Sequence, residues 1–421
     1  MTKQERITKA IITASYDDDG NDGSIEDKAR EQLKKEIEKG YDFPSPVILR
    51  DTGRHKVTKF NFLIDSIPMI SFPMMSTSRT DLEKIAVVGD EITGAVVEAF
   101  SDFFKDRRFE YGCEGNPCDW CFSRTIDEGG RILAPRDDEL VMVLMGDTPF
   151  KWNFEGILND PDISNGYDVI YNLNSRIRTN RHWPRQYHFK ISDRGIHLFV
   201  KEAQLFLANL SKLEEVSRKL GLEEPLVDMI YGSRKTHGNK GKSRGEKLEE
   251  IFVNEGRWWP TIMGLGPVYA FQLWNYKSRK KTPLLKPKNA YRAIQNTTGL
   301  RVLFKADNND PGALEDVDGL ADWAFMTDML LRAGDTIYPY YSEIKRFGDA
   351  VMPELRKRFD FYAGFEEYMN YLFREYDLLE PYADGKTFQN PFTLNKDASA
   401  RRAGRIIKSS IRCHRKYNRR H

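Results

Sequence analysis

The segment ELVMVLMGD, residues 139–147, is a continuous apolar run that begins at an acid and ends in Gly-Asp. An apolar run of this length, bounded by polar and turn residues, is typical of a strand that is buried on both faces. The run contains few β-branched residues, so its length and its boundaries carry the assignment. We therefore predict a buried core strand over residues 139–147.

Segments with helical and with strand patterns surround this strand. Residues 80–106 carry apolar residues at helical spacing, which predicts one or two core-facing helices. Residues 201–221 predict an amphipathic helix that ends at a glycine, and the sequence from about 340 onward is mainly helical in pattern. Strands are predicted within residues 187–200 and 297–312. This order predicts an α+β protein with a mixed sheet core, a cysteine-rich metal knuckle and a mainly helical C-terminal region.

The sequence divides into four predicted regions. The pattern changes at Phe109, where a short turn-rich segment begins. The regions are an N-terminal helical and mixed region over 1–108, an α+β core with the cysteine knuckle and a candidate nucleotide site over 109–320, a helical region over 321–400, and a basic tail over 401–421.

Positive charge is concentrated in three segments, although the net charge of the 421-residue chain is only +2. Residues 401–421 contain nine Lys or Arg and no acid, and residues 232–247 and 275–288 are similarly basic. Such segments attract polyanions, whereas a solvated surface or a tail is the alternative explanation for each of them. We expect DNA or RNA to bind through these segments.

The sequence predicts neither a membrane span nor a secretory signal. Its first 24 residues lack an apolar signal core, and no window approaches 18 uninterrupted apolar residues. Three of the four cysteines lie within nine residues, which is not the pattern of a dispersed disulfide framework. We therefore expect a cytoplasmic protein with no membrane partner.

The cysteines Cys113, Cys118 and Cys121 form a C-x4-C-x2-C array. Turn residues between the first two allow the sulfurs to converge, and thiolates at this spacing suit zinc or an iron–sulfur cluster. The alternative is three unliganded thiols in a loop. The candidates for a fourth ligand are Cys413, His414, His182 and His188.

The segment YHFKISDRGIHLFV, residues 187–200, has two strand-like ends joined by a tight polar connection. The hydroxyl of Ser192, the backbone of the turn at Gly195 and the guanidinium of Arg194 are the kinds of donors that hold a phosphate, and His197 can donate as well. An ordinary hairpin with a hydrogen-bonded histidine is the alternative. The segment is thus a candidate phosphate or nucleotide site.

This segment resembles the second motif of the archaeo-eukaryotic primase superfamily, in which a Ser, a Gly or Arg turn and a His bind the triphosphate of the incoming nucleotide. Ser192, Arg194, Gly195 and His197 occupy the matching positions, although the turn is about one residue shorter than is common in the family. The resemblance implies a nucleoside triphosphate as substrate and a role in DNA replication as a primase.

The other two motifs of that superfamily are strands that end in acids. DDELVMVLMGDTPF supplies Asp147 in the position of the second acid, with Met145 where the first acid stands, and LRVLFKAD supplies Asp307. The resemblance implies that both aspartates bind catalytic Mg²⁺ or Mn²⁺ during nucleotidyl transfer. We expect Asp147, His197 and Asp307 to converge within about 10 Å, because a metal–triphosphate site can bridge that distance.

Two further functions remain open. The sequence CDWC resembles the cluster loop of radical S-adenosylmethionine enzymes, and VMVLMGDTPF resembles their Gly-Gly-Glu-Pro segment, although the first cysteine spacing here is one residue longer. That resemblance implies a [4Fe–4S] cluster on Cys113, Cys118 and Cys121. The third possibility is a non-enzymatic, zinc-containing nucleic-acid-binding or virus-type structural protein.

Overall fold

The structure of the protein, a computed structural model, describes a central sheet and the helices that cover it. The residues that it describes are 6–14, 59–114, 122–175, 189–193, 196–220, 287–308, 317, 320–359 and 362.

Ten strands are described, and eight of them form one sheet in the order β10-β7-β9-β6-β1-β4-β5, with β8 paired to β9. The remaining two, β2 and β3, form a separate hairpin. The strands are β1 Lys9–Ala14, β2 Leu63–Ile64, β3 Ile67–Pro68, β4 Lys84–Gly89, β5 Phe109–Cys113, β6 Val141–Met145, β7 Val169–Ser175, β8 Phe189–Asp193, β9 Ile196–Ala208 and β10 Val302–Asn308.

The large sheet is mixed, as the sequence predicts. β1 is parallel to β4 and to β6, β4 is parallel to β5, and β7 is parallel to β10. β9 lies between β6 and β7 and is antiparallel to both, so β6 and β7 run in the same direction. β8 is also antiparallel to β9. Seven strands therefore point their carboxyl ends in one direction, and we call the edge of the sheet on that side the carboxyl edge.

Helices cover both faces of the sheet in the described part of the chain. They are α1 Ser71–Ser78, α2 Glu91–Phe104, α3 Phe122–Leu133, α4 Glu155–Leu158, α5 Leu210–Leu220, α6 Pro287–Thr298, α7 Leu320–Ala333 and α8 Tyr341–Arg358. One face packs against α1, α2, α7 and α8 in the largest apolar cluster, and the other face packs against α3, α5 and α6. The result is three layers, with the sheet in the middle.

The buried strand predicted at residues 139–147 is confirmed as β6. All five of its residues are buried, because β6 lies between β1 and β9 with helices on both faces. A strand in that position exposes neither face to water, which is why its sequence is apolar throughout instead of alternating.

Two helix predictions are partly wrong. Residues 84–89 form strand β4, and the helix α2 begins only at Glu91. Residues 201–208 belong to strand β9, and the helix α5 begins at Leu210. Both segments lie between two neighbouring strands, and an apolar run of this kind cannot be separated from a buried helix by periodicity alone.

The sheet includes segments from two of the predicted regions. β1 and β4 come from residues 1–108, and they pair in one sheet with strands from residues 109–320. The helices α7 and α8 lie in the predicted helical region 321–400, and the basic tail 401–421 is outside the described residues. None of the described helices is long and apolar enough to cross a membrane.

Candidate functional site

The order in which strands are added to the sheet reverses at β1. From β1 the chain passes to β4 and then β5 on one side, whereas β6 pairs with the opposite side of β1. In open sheets with parallel strands, ligands bind in the crevice outside the carboxyl ends at such a switch point. The residues at this position are therefore the first candidates for a functional site.

The turn after β6 brings Asp147 to this switch point. The N–H of Gly146 donates a hydrogen bond to the carbonyl oxygen of Thr13 on β1, at 2.9 Å. A Cβ atom on Gly146 would lie only 2.6 Å from the same oxygen, so the two backbones approach as closely as glycine permits. The hydroxyl of Thr148 donates to the carbonyl of Met145 at 2.9 Å and closes the turn. Asp147 is therefore held on a well-defined turn, with its side chain partly exposed.

Met145, where the primase motif has its first acid, is a core residue. Its side chain is 6% exposed and packs with Phe122, Ile126 and Val143 between the sheet and α3. The hydroxyl of Thr13 donates a hydrogen bond to its sulfur at 3.4 Å. A carboxylate at this position would be buried among apolar groups, which explains why the sequence has methionine here.

Other acids near this edge make structural hydrogen bonds. Asp90 follows β4 and caps the first turn of α2 by accepting hydrogen bonds from the N–H of Thr93 at 2.7 Å and from its hydroxyl at 2.8 Å. The amide of Asn61 donates to both oxygens of Asp90, at 2.8 and 3.0 Å. Glu114 follows β5, and its carboxylate accepts a hydrogen bond from the hydroxyl of Thr125. Asp90 and Glu114 thus help to build the edge.

Asp307 lies on β10 at the same edge of the sheet. β10 is parallel to β7, with Lys305 opposite Asn172 and Asn308 opposite Asn174. Three strand spacings separate β10 from β6, which corresponds to about 14 Å across the sheet. The side chain of Asp307 is outside the described set, so its role as a metal ligand stays a prediction.

Two contacts connect the chain on either side of Asp307 to the segment that starts at Asp147. Lys305, two residues before Asp307, donates to Asp160 at 2.5 Å and to Asp162 at 2.8 Å. Val317, ten residues after Asp307, donates its backbone N–H to the carbonyl oxygen of Asp147 at 3.0 Å. The segments that carry the two candidate metal ligands are therefore joined twice.

The segment 187–200 contains the expected hairpin. β8 and β9 are antiparallel, and Ser192 lies directly opposite His197. Arg194 and Gly195, between them, are outside the described residues. Leu144 pairs with Leu205. His197 lies eight residues before Leu205, toward the start of β9, and is therefore beyond the carboxyl end of β6.

This position of the hairpin tip differs from the expected convergence. Continuing the β6–β9 register would put Asp147 opposite Glu202, and His197 lies five residues beyond, or about 17 Å along the strand. The side chains of Ser192 and His197 are not described, so their role in binding phosphate stays a prediction. β9 also contains an irregularity at Gln204, whose φ of 54° is unusual for a residue other than glycine.

The proposed cysteine site stays a prediction. Cys113 is exposed at the end of β5, whereas Cys118 and Cys121 are outside the described residues. The possible fourth ligands are also outside them: His182, His188, Cys413 and His414. Among the side chains that the structure describes, no group of three His, Cys, Asp or Glu is arranged to hold a metal ion. The basic segments 232–247 and 275–288, like the tail, are not described.

Sequence reasoning missed a buried polar group beside β10. Asp160 is 3% exposed and Asn172 is 1% exposed. Lys305 belongs to the same group, because it donates to Asp160 and lies opposite Asn172 in the register of β10 and β7. The side-chain nitrogen of Asn172 has no hydrogen-bond partner among the described residues. The available signal was a lysine and an asparagine within otherwise apolar strand sequences, VLFK and VIYN.

Comparisons with known proteins do not assign this chain to a family. No protein-family model and no curated protein matches the sequence. Among solved structures, a hypothetical transferase from Thermus thermophilus is 12% identical, with a TM-score of 0.42 over 75% of this chain and 99% of that chain.

Two further solved structures are similar at the same low level. The inositol-1-phosphate CTP transferase from T. maritima is 11% identical, with a TM-score of 0.37 over 78% of this chain and 98% of that chain. The 4-diphosphocytidyl-2C-methyl-D-erythritolsynthase from Anaerococcus prevotii is 10% identical, with a TM-score of 0.35 over 78% of this chain and 100% of that chain. With TM-scores below 0.5, these similarities establish neither a family nor an activity for this protein.

Proposed function

We propose that the protein is an enzyme of metal-dependent nucleotidyl transfer, with its active site at the carboxyl edge of the sheet. The observation that carries the proposal is the position of Asp147, on the turn after β6, and of Asp307, on β10, at this edge, within segments that are hydrogen-bonded to each other. Asp147 is beside the switch point between β1 and β6, where this class of sheet binds ligands.

The two aspartates have the chemistry that a Mg²⁺ or Mn²⁺ site requires, since both ions prefer carboxylate oxygen ligands. The axes of β6 and β10 are about 14 Å apart, so the proposal requires the side chains of the two aspartates to converge over the edge between these strands. A divalent ion bound there would neutralise charge on the triphosphate. Asp147 and Asp307 would hold and orient that ion, and the rigid turn at Gly146 would keep Asp147 in place.

The proposed reaction is the transfer of a nucleoside monophosphate to an acceptor. An oxygen of the acceptor forms a bond to the α-phosphorus, the bond from that phosphorus to the bridging oxygen breaks, and pyrophosphate leaves with the electron pair. The acceptor's proton passes to solvent or to a nearby base. The reaction is balanced with a nucleoside triphosphate and an acceptor hydroxyl or phosphate as the only substrates.

A nucleic-acid acceptor is the finer form of this proposal. It is supported by the basic segments 232–247, 275–288 and 401–421 and by the primase resemblance of Ser192, Arg194 and His197. A small-molecule acceptor is the alternative within the same activity. Incorporation of labelled nucleotide into a primed template supports the first, whereas pyrophosphate release that requires an added small-molecule alcohol or phosphate and is indifferent to nucleic acid supports the second.

The test is Mn²⁺-dependent release of pyrophosphate from each nucleoside triphosphate, with and without nucleic acid, for the purified full-length chain. We expect Asp147→Asn and Asp307→Asn to reduce the rate at least about 100-fold, because each removes a charged group that stabilises the transition state. The matched control is Asp102→Asn, an exposed aspartate on α2 that is paired with Arg107. Full activity in Asp147→Asn would contradict the proposal.

A second measurement separates binding from catalysis. The free Mn²⁺ remaining in a titration, followed by electron paramagnetic resonance, gives the stoichiometry and affinity of the ion without turnover. We expect binding that depends on both Asp147 and Asp307 and that is unchanged by Asp102→Asn. Binding that is indifferent to both aspartates would place any metal elsewhere and overturn the assigned site.

A further inference from the structure

Lys305 forms a partly buried ion triad with two aspartates. Its ammonium lies 2.5 Å from an oxygen of Asp160 and 2.8 Å from an oxygen of Asp162, and its side chain is 16% exposed. The carboxylate of Asp160 also accepts a hydrogen bond from the backbone N–H of Asp162 at 2.8 Å. Asp160 is therefore the N-cap of the short 3-10 helix Pro161–Asn165. These contacts hold the lysine, the two acids and the local backbone in one arrangement.

The triad connects the two candidate metal ligands through short lengths of chain. Lys305 is two residues before Asp307 on β10, and Asp160 is 13 residues after Asp147 on the segment that follows β6. The backbone hydrogen bond from Val317 to Asp147 makes a second connection between the two segments, on the other side of Asp307. Lys305 is thus the charged contact that joins the strand of one aspartate to the segment of the other.

The physical consequence is a constraint on distance. Removing one partner of a buried ion pair leaves the other charges uncompensated and displaces the backbone that carries them. Sites that bind ions or reacting groups require their residues to be held to within about half an ångström. Groups that orient metal ligands without touching the ion typically affect metal affinity by about 10- to 100-fold when they are mutated.

We propose that Lys305 is a positioning residue that sets the distance between Asp147 and Asp307 and thereby the affinity of the site for its divalent ion. The inference rests on the proposed function, because it assumes that these two aspartates bind one metal–nucleotide complex. Lys305 itself touches neither the ion nor the substrate in this proposal. It acts through Asp160 and Asp162 on the position of β10.

The chain offers a matched control in Lys345 on α8. Its ammonium lies 3.6 Å from Asp65 and 2.9 Å from Asp349, and its side chain is 29% exposed. It also donates to the backbone carbonyl of Asp65 at 3.1 Å, so it too joins distant segments through a lysine with two acids. These contacts connect α8 to the β2–β3 hairpin and do not involve either candidate metal ligand.

The experiment measures the Mn²⁺ dissociation constant of Lys305→Met, Lys305→Arg and Lys345→Met by paramagnetic resonance of free Mn²⁺. We expect Lys305→Met to weaken binding at least about 10-fold, and Lys305→Arg to remain within about 3-fold of the wild type. Lys345→Met should bind Mn²⁺ normally even where its melting temperature falls. Wild-type affinity in a folded Lys305→Met variant overturns the positioning role.

A milder variant covers the case in which Lys305→Met does not fold. Asp162→Asn removes the more exposed partner of the triad, whose side chain is 30% exposed, and we expect Mn²⁺ binding about 3-fold weaker. Unchanged affinity in this variant overturns the inference. Failure of the proposed function itself gives a different result, because wild-type binding is then indifferent to Asp147→Asn and Asp307→Asn.

Discussion

Asp147 and Met145 are two residues apart, but the fold gives them opposite environments. Met145 is the last residue of β6 and points into the layer against α3. Asp147 lies beyond the strand, on a turn that Gly146 packs against the backbone of β1, and is partly exposed. The proposed site therefore uses the residue after the strand, because an acid at the end of the strand would be buried against α3.

The environment of Met145 leads to a prediction for Met145→Asp. A carboxylate at this position is buried without a charged partner among Phe122 and Ile126, so we expect the free energy of unfolding to fall by about 3 kcal/mol or more. Urea denaturation of the purified variant measures the change. Met145→Leu is the control, with an expected loss below about 1.5 kcal/mol. A stable Met145→Asp variant with tighter Mn²⁺ binding would show instead that this position belongs to the metal site.

At the scale of elements, α8 packs against the β2–β3 hairpin through a glycine. A Cβ atom on Gly348 would lie 2.9 Å from the carbonyl oxygen of Ser66 and 2.9 Å from a side-chain carbon of Ile67. The backbone turn at Asp65 and Ser66 has φ values of 50° and 62°, as in the tight hairpin turns that favour asparagine and glycine. The helix and the turn can therefore come together only where the helix has no side chain.

This contact reverses the usual effect of replacing glycine by alanine in a helix. In an open helical position the change to alanine is stabilising by about 1 kcal/mol, but at Gly348 the added carbon meets backbone atoms. We expect Gly348→Ala to lower the free energy of unfolding by about 1–3 kcal/mol. The control is Gly156→Ala on α4, where the added carbon meets nothing within 4 Å and no loss is expected. Equal stability of the two variants in a thermal melt would contradict the contact.

A buried ion pair joins β1 to the start of β6 at the opposite edge of the sheet. Glu139 is 4% exposed and accepts hydrogen bonds from the ammonium of Lys9 at 2.9 Å and from the N–H of Arg136 at 3.0 Å. Burial alone would raise the pKa of Glu139, but the hydrogen bonds from Lys9 and Arg136 outweigh it and hold the pKa below its usual range. The charged form of Glu139 is thus favoured by folding.

The sign of this pKa shift predicts how stability depends on pH. Because the pKa of Glu139 is lower in the folded protein than its ordinary value of 4.5, its contribution is fully present above pH 4.5 and is lost as the pH falls through the folded-state pKa. We expect Glu139→Gln to be less stable than the wild type at pH 7 and to lose less stability between pH 5 and about pH 3. Urea denaturation across this range measures both slopes. Glu354→Gln, which removes an exposed ion pair with Lys357, is the control and should leave the slope nearly unchanged. Identical slopes for the wild type and Glu139→Gln would refute the assignment.

At the scale of the whole molecule, the sheet brings together parts of the chain that are far apart in sequence. β1 begins at Lys9 and β10 ends at Asn308, and both belong to one eight-stranded sheet. Because seven of the eight strands share a direction, the residues that follow them lie along one edge. A ligand bound there contacts several segments at once and stabilises the folded chain as a unit.

This arrangement predicts a thermal shift on ligand binding. The Mn²⁺ complex of a nucleoside triphosphate, at about 100 times its dissociation constant, would add about 2.7 kcal/mol to the stability of the folded state, and we expect the melting temperature to rise by about 2–5 °C. Chelation of the ion should remove the shift, and Asp147→Asn should abolish it, whereas Asp102→Asn should retain it. A shift that persists in Asp147→Asn would locate nucleotide binding away from this edge.

Several elements followed directly from local sequence, and others did not. The apolar run 139–147 was sufficient to predict β6, and the alternation on both sides of Ser192 and His197 predicted their hairpin. The strand β4 and the second half of β9 were mistaken for helix, because their apolar runs are buried by neighbours that local periodicity does not identify. The contact between Lys305 and Asp160 spans 145 residues, so no local pattern indicates it.

The sequence by itself determined which segments are buried, which residues end them and which acids follow a core strand, because hydrophobicity and turn chemistry act over a few neighbouring residues. Only the tertiary structure decided that β9 runs against its neighbours, that Met145 is a core residue, and that Asp147 and Asp307 are at the same edge. The reason is that strand order and direction depend on pairings between segments that are tens to more than a hundred residues apart. Those pairings determine which side chains meet, and a single sequence contains no local record of them.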